Sequence, residues 1–303
     1  MLSAIHPLIR FTFFGNYFYG LCVVALSIEA TLQQGFPLGH PLYFLAVFAC
    51  TVLYYTYAYI HVGNSTTSNP RIQWYRINRL LVRRSQWLMA GLMASSLIWL
   101  VHGKAQRISD MRLSEWIPAV LFPVCAMLYY GLSTRSGSYN LRSIGWLKPF
   151  VIGFIWAGVV TIYPVLFQDI IVGAKYAYTP IGTFLFIKNF MFVSVLCIMF
   201  DIKDYAMDYN AQLKTFVVKV GLRRTLFQII IPLCIAGLFS FLIYGFVHGF
   251  HPFKLVLNVI PFVLLIIVAY SMHNRKSVLY YLIIIDGLML AKAVCGSIAM
   301  IYF

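Results

Sequence analysis

Apolar residues run along this chain in long blocks. They do not alternate, and they do not form the one-sided stripes of a surface helix. The blocks fall at roughly 11–31, 42–62, 86–102, 116–132, 149–168, 182–200, 225–247, 254–271 and 278–298. About 20 apolar residues in a helix span a bilayer, and most of the blocks approach that length. Most are bounded by Arg or Lys, by Gly, or by prolines such as Pro41, Pro70, Pro118, Pro180 and Pro252, which punctuate helices. The pattern predicts an all-α polytopic membrane bundle of about nine transmembrane helices. No linker or low-complexity stretch interrupts it, so residues 1–303 read as a single transmembrane domain. The first block follows Arg10 and is too long for a cleaved leader, so it reads as a retained span.

Composition supports this reading. The chain is 61% hydrophobic and 10% charged, with mean hydropathy +0.83, whereas a soluble domain is about 25% charged. The polar surface is too small to solvate a globule. The net charge of +15 would suggest nucleic acid in a soluble chain. Here the cations sit between the apolar blocks, so the lipid bilayer is the expected partner and nucleic acid is not. With a cytoplasmic N-terminus and nine alternating spans, sixteen Lys and Arg fall on inner segments and five on outer ones, as the positive-inside rule requires. The cytoplasmic loops then include two long basic ones, 63–85 and 201–224, after the second and sixth spans. The six cysteines are scattered, with no CxxC pair, and read as packing residues.

Three of the eight carboxylates lie within eight residues, at Asp201, Asp204 and Asp208. On a helix they fall on one face, within about 60°. Like charges so placed repel. Either this is a solvated helix end neutralised by Lys203, Lys214 and Lys219, or it is a divalent-cation site. Hard oxygen ligands suit Mg²⁺, which keeps waters and bridges to substrate phosphates.

The stretch from Asp201 to Gly221 resembles the second aspartate-rich motif of the UbiA superfamily of intramembrane prenyltransferases, roughly D-x-x-D-x-x-x-D-x-x-x-G-x-[KR]-T-x-x-[VI]-x-x-G. Asp201, Asp204, Asp208, Lys214, Thr215, Val218 and Gly221 match in register, and Gln212 replaces the middle glycine. The resemblance implies a UbiA-like fold and a Mg²⁺-dependent transfer of an isoprenoid from its diphosphate to an unknown, possibly aromatic, acceptor. It implies that Asp201 and Asp204 ligate Mg²⁺ with Asp208 in support, and that Lys214 touches diphosphate oxygens. Arg142 and Lys148 sit where the family often places a basic diphosphate contact; simple positive-inside anchoring is the alternative. The family's first motif, close to N-D-x-x-D-x-x-x-D, is degenerate here. No Asp or Glu occurs between Glu29 and Asp110, and Asn64 and its Ser and Thr neighbours offer only neutral oxygens. The metal site is therefore expected to be reduced, with Arg71 carrying part of the diphosphate charge.

Other charged positions are expected to do less. Asp286, within the last block, is read as pairing with Lys188 or Lys292, and Glu29 as solvated near the outer face. Two further function classes stay open: a non-catalytic relative that binds lipid diphosphates or a partner, and a small-solute transporter, which would need repeat symmetry or broken helices.

Overall fold

The computed structural model describes residues 7–60, 70–134, 137–139, 141, 144–173, 179–210, 212–273 and 280–303. Helices dominate them: α1 (Pro7–Phe14), α2 (Tyr17–Gln33), α3 (Pro41–Ile60), α4 (Pro70–Ile77), α5 (Arg79–Val101), α6 (Ala105–Ser109) and α7 (Leu113–Tyr130). A short antiparallel hairpin of β1 (Leu132–Thr134) and β2 (Gly137–Tyr139) follows, pairing Ser133 with Ser138. Then come α8 (Lys148–Ala157), α9 (Tyr163–Val172), α10 (Pro180–Asn210), α11 (Phe216–Val220), α12 (Leu222–Arg224), α13 (Ile231–Val247), α14 (Pro252–Ser271) and α15 (Asp286–Tyr302). Three π turns, Gly158–Ile162, Thr225–Ile230 and Tyr281–Ile285, adjoin α8, α13 and α15.

Each of the nine apolar blocks lies largely within a helix. Among the described residues seven helices are long and apolar enough to cross a membrane, and α1 with α2 makes an eighth if that bent pair is one span. The remaining block, 86–102, lies in α5, which is long enough but starts with Arg79, Arg83 and Arg84, and it is less apolar than the others.

The described chain falls into two compact units. The first comprises residues up to Ala25, Gly39–Asp110 and Phe167–Lys175. Here α1 and α2 meet at 63°, across Gly15 and Asn16. A Cβ on Gly15 would lie 2.5 Å from the Phe11 carbonyl, and Asn16 adopts a φ of +66°, a conformation that Asn tolerates better than most residues. Fully buried, the Asn16 side chain donates to Thr56 Oγ1 and to the Tyr75 hydroxyl, both at 3.0 Å. Tyr75 in turn donates to the Phe14 carbonyl. Ala49 and Val52 of α3 pack on Met89 of α5.

The second unit comprises Leu26–Leu38, Met111–Leu166 and Tyr176–Phe303. Its centre is the crossing of α8 and α10. A Cβ on Gly153 would lie 2.1 Å from Ser194 Oγ and 2.9 Å from the Phe190 carbonyl, so only glycine lets these helices approach so closely. Gly153→Leu is expected to push α8 off α10 and cost about 1–3 kcal/mol, as overpacking does. A thermal melt in detergent tests this, and a parent-like midpoint would refute the close-approach argument. Elsewhere in the unit, Phe241 of α13 packs with Leu255 and Phe262 of α14.

This unit also corrects two expectations. Glu29 is not solvated: it is 1% exposed, and its Oε2 lies 2.5 Å from the ammonium of Lys292. Lys292 therefore pairs with Glu29 and not with Asp286. Lys188 turns to aromatic faces, 5.0 Å from the ring centre of Phe241 and 5.9 Å from that of Phe262.

Candidate functional site

Helix α10 carries the carboxylates. Its 31 residues extend about 46 Å at 1.5 Å per residue, more than the roughly 30 Å of a hydrocarbon core. The segment from Pro180 to Phe200 has only Lys188 as a charge, and Asp201 follows at once. The motif thus starts where the apolar part of the helix ends, with Asp201, Asp204 and Asp208 in its last three turns.

Asp201 is 2% exposed. Its Oδ1 accepts a hydrogen bond from Lys148 Nζ at 2.7 Å, and its Oδ2 is buried with no hydrogen-bond partner among the described residues. Asp204 lies nearer solvent and pairs with Lys203 at 3.4 Å. The Thr215 side chain favours the charged form of Asp208. Partial burial and the charge of Asp204 push the Asp208 carboxyl above its usual range, against the opposing pull of Lys148 and Thr215.

The rest of the motif has a structural logic. Thr215 is the N-cap of α11, its hydroxyl oxygen accepting from the Val218 amide at 3.4 Å, as Ser and Thr commonly do at this position. Gly221 ends α11 at φ +93° and ψ +141°, where a side chain would be strained. The spacing of Thr215, Val218 and Gly221 is thus that of one short capped helix. Lys214, just before the cap, is exposed.

A second segment is fastened against the first. A Cβ on Gly145 would lie 2.8 Å from the Lys214 carbonyl oxygen and 3.0 Å from the Thr215 amide. Lys219 Nζ sits 5.3 Å from the ring centre of Trp146. Lys148, the first residue of α8, completes the seam through Asp201. The structure therefore brings together Lys148, Asp201, Asp208 and Thr215. Gly145 and Trp146 were missed in the sequence; the glycine lies between two bulky residues, Ile144 and Trp146, and that was the available signal.

Arg71 belongs to the first unit and is 8% exposed. Its guanidinium donates to the carbonyls of Phe13 and Phe14 and to Asn16 Oδ1, and stacks over Tyr59. It caps the end of α1. Asn64 and Arg142 lie outside the described residues.

A cation is accommodated only in part. The orphaned Oδ2 of Asp201 is a buried anionic oxygen that a cation would satisfy. Yet among the described residues no three His, Cys, Asp or Glu side chains converge to hold a metal ion. The donor set fits an ion held by one or two carboxylates and completed by water and ligand oxygens, as Mg²⁺ often is. It does not fit a ready three-carboxylate cage.

No protein-family model matches this chain, and no curated protein matches it. Its fold is similar to a solved structure described as giving structural and mechanistic insights into digeranylgeranylglyceryl phosphate synthase in membranes, with a TM-score of 0.57 and 13% identity over 98% of this chain and 99% of that one. At this identity the likeness is one of fold: a predominantly helical, polytopic membrane bundle.

Proposed function

We propose that this chain is a UbiA-like membrane prenyltransferase, taking an isoprenoid from its diphosphate and passing it to an acceptor. The observation that carries the proposal is the pairing of Lys148 with buried Asp201, one of whose oxygens is unpartnered, at the boundary end of a carboxylate-bearing membrane helix. Asp201 and Asp204 would hold Mg²⁺ with Asp208 in support, and the ion would supply neutralisation of the leaving diphosphate. Lys148 contributes a cation at the Asp201 end of the site and Lys214 an exposed one. Both favour diphosphate as its negative charge grows on ionisation of the allylic C–O bond. Asp208 would add negative charge beside the ion, and the Thr215 cap of α11 sets the Lys214 backbone.

The test is binding of a non-hydrolysable isoprenoid diphosphate to the purified protein, together with release of pyrophosphate from the natural diphosphate. Binding that needs Mg²⁺ and release that is stopped by EDTA are the expected results. Binding without release would favour the second reading, a non-catalytic lipid-diphosphate binder. That reading draws on the lack of acids between Glu29 and Asp110. No binding under any metal condition would remove both.

The proposal includes an orientation, with the N-terminus and the loops 63–85 and 201–224 in the cytoplasm, from the basic asymmetry. Cysteines introduced at Ser68 and Gln212 should react with a membrane-impermeant maleimide in inside-out vesicles and not in intact cells. Labelling of either from outside would reverse the topology.

A further inference from the structure

Lys148 and Asp201 are held together unequally. Asp201 belongs to a helix core and its side chain is 3% exposed, while that of Lys148 is 32% exposed. The carboxylate is fixed by burial within α10. The ammonium ends a flexible four-carbon stem whose root is fixed: Gly145 seats on the Lys214–Thr215 backbone, and Pro149 follows at the start of α8. Of the two partners, only the lysine can leave.

Asp201 is also the carboxylate on which the proposed function depends most. An ammonium at 2.7 Å from Oδ1 leaves that oxygen engaged and the whole carboxylate compensated. A divalent ion would bind carboxylate oxygen at roughly 2.0–2.1 Å, which would place two cations on one carboxylate. Their repulsion would be poorly screened beneath the surface. Asp204 and Asp208 add negative charge nearby, but among the described residues no three carboxylates converge to share the ion.

We infer that Lys148 and a divalent cation are competing occupants of Asp201, so that the metal is admitted only when a diphosphate draws the lysine away. This rests on the reading of the site as one for diphosphate. A diphosphate offers the Lys148 ammonium several anionic oxygens in place of the single one it holds. When the ammonium moves to them, both oxygens of Asp201 become available to the ion that travels with the diphosphate. Lys148 is then a positioning residue with two stations, and it makes metal entry and diphosphate entry one coupled event. By linkage, the factor by which diphosphate tightens metal binding equals the factor by which metal tightens diphosphate binding.

The experiment is a Mn²⁺ titration of the purified full-length protein in detergent, read by the EPR signal of free Mn²⁺, with and without inorganic pyrophosphate, each corrected by a protein-free titration because pyrophosphate itself binds Mn²⁺. The parent should bind Mn²⁺ weakly alone and about tenfold or more tightly with pyrophosphate, within the usual range for coupled sites. Lys148→Met, tested without pyrophosphate, should bind Mn²⁺ about tenfold more tightly than the parent. Lys148→Arg, which keeps the cation, should stay weak, and Asp201→Asn added to Lys148→Met should abolish the gain. Removing a basic residue from a simple diphosphate-binding patch would leave metal affinity unchanged, so the sign of the effect is diagnostic. The inference is overturned if the parent binds Mn²⁺ alone as tightly as with pyrophosphate, which needs no variant to be folded. It is also overturned if Lys148→Met gains nothing, or if its gain survives Asp201→Asn. Should pyrophosphate and isoprenoid diphosphate both fail to bind, the functional reading falls, while the Mn²⁺ gain in Lys148→Met still decides whether the lysine guards Asp201.

Discussion

Removing the carboxylate of Glu29 is expected to destabilise the protein by roughly 3–5 kcal/mol, the usual cost of breaking a buried ion pair. Glu29 and Lys292 are 1% and 3% exposed and meet at 2.5 Å. Gln33 donates to the other carboxylate oxygen at 2.8 Å. Gly296 backs the pair so closely that a Cβ there would lie 2.6 Å from Glu29 Oε1. Glu29→Leu leaves Lys292 without its partner, and Lys188, which lies in the field of both groups, loses the carboxylate that offsets its charge. Two cations then share an apolar interior. Lys292→Met should cost less, because Lys188 remains to offset Glu29. The double variant should recover part of the loss, since breaking a buried pair costs more than replacing it. Melting midpoints of the three variants in detergent check this. Equal shifts for both single variants, or shifts no larger than those of surface substitutions, would contradict it.

The second large effect is on binding. Asp201→Ala is expected to weaken an isoprenoid diphosphate analogue, at saturating Mg²⁺, on the order of 100-fold, equivalent to about 2.7 kcal/mol, within the range for removing a charged group from a binding site. It removes the proposed metal ligand and leaves the Lys148 ammonium unpaired beside the site. Asp204→Ala should approach this loss. Asp208→Ala should lose less, because Asp208 is proposed only to support the two ligands and lies two turns beyond Asp201 on α10. Each variant should melt close to the parent, which separates site loss from unfolding. Parent-like binding in both Asp201→Ala and Asp204→Ala would refute the assignment of the site.

What the sequence disclosed follows from the range of each signal. The apolar blocks are local, and every one of them found a helix. The spacing of Asp201, Asp204 and Asp208 is local too, and one helix face carries them all. Lys148 and Asp201 were each legible as charged residues at a membrane boundary, but their pairing across 53 positions was not, because periodicity says nothing about which helices meet. Glu29 was misread for the same reason. Its partner lies 263 residues away, and a lone acid near the end of an apolar block looks solvated until that partner is seen. Arg71 looked like part of a basic loop, and only the bend at Gly15 and Asn16 shows the carbonyls it was placed to satisfy.

The three π turns bear on how this chain can be compared with others. A π turn takes one residue more than the α-helix it interrupts. A relative with a regular helix in place of Gly158–Ile162, Thr225–Ile230 or Tyr281–Ile285 would be one residue shorter inside a membrane segment. Its residues could be equated with these only by opening a gap in mid-helix, where insertions are least expected. An ungapped pairing would rotate every later position by about 100°, setting lipid-facing residues against core ones. Past Tyr281–Ile285 that error would misplace Lys292, and past Gly158–Ile162 it would carry into α9. Equivalent positions in this chain are therefore found more safely by superposing its helices turn by turn than by pairing its letters without gaps.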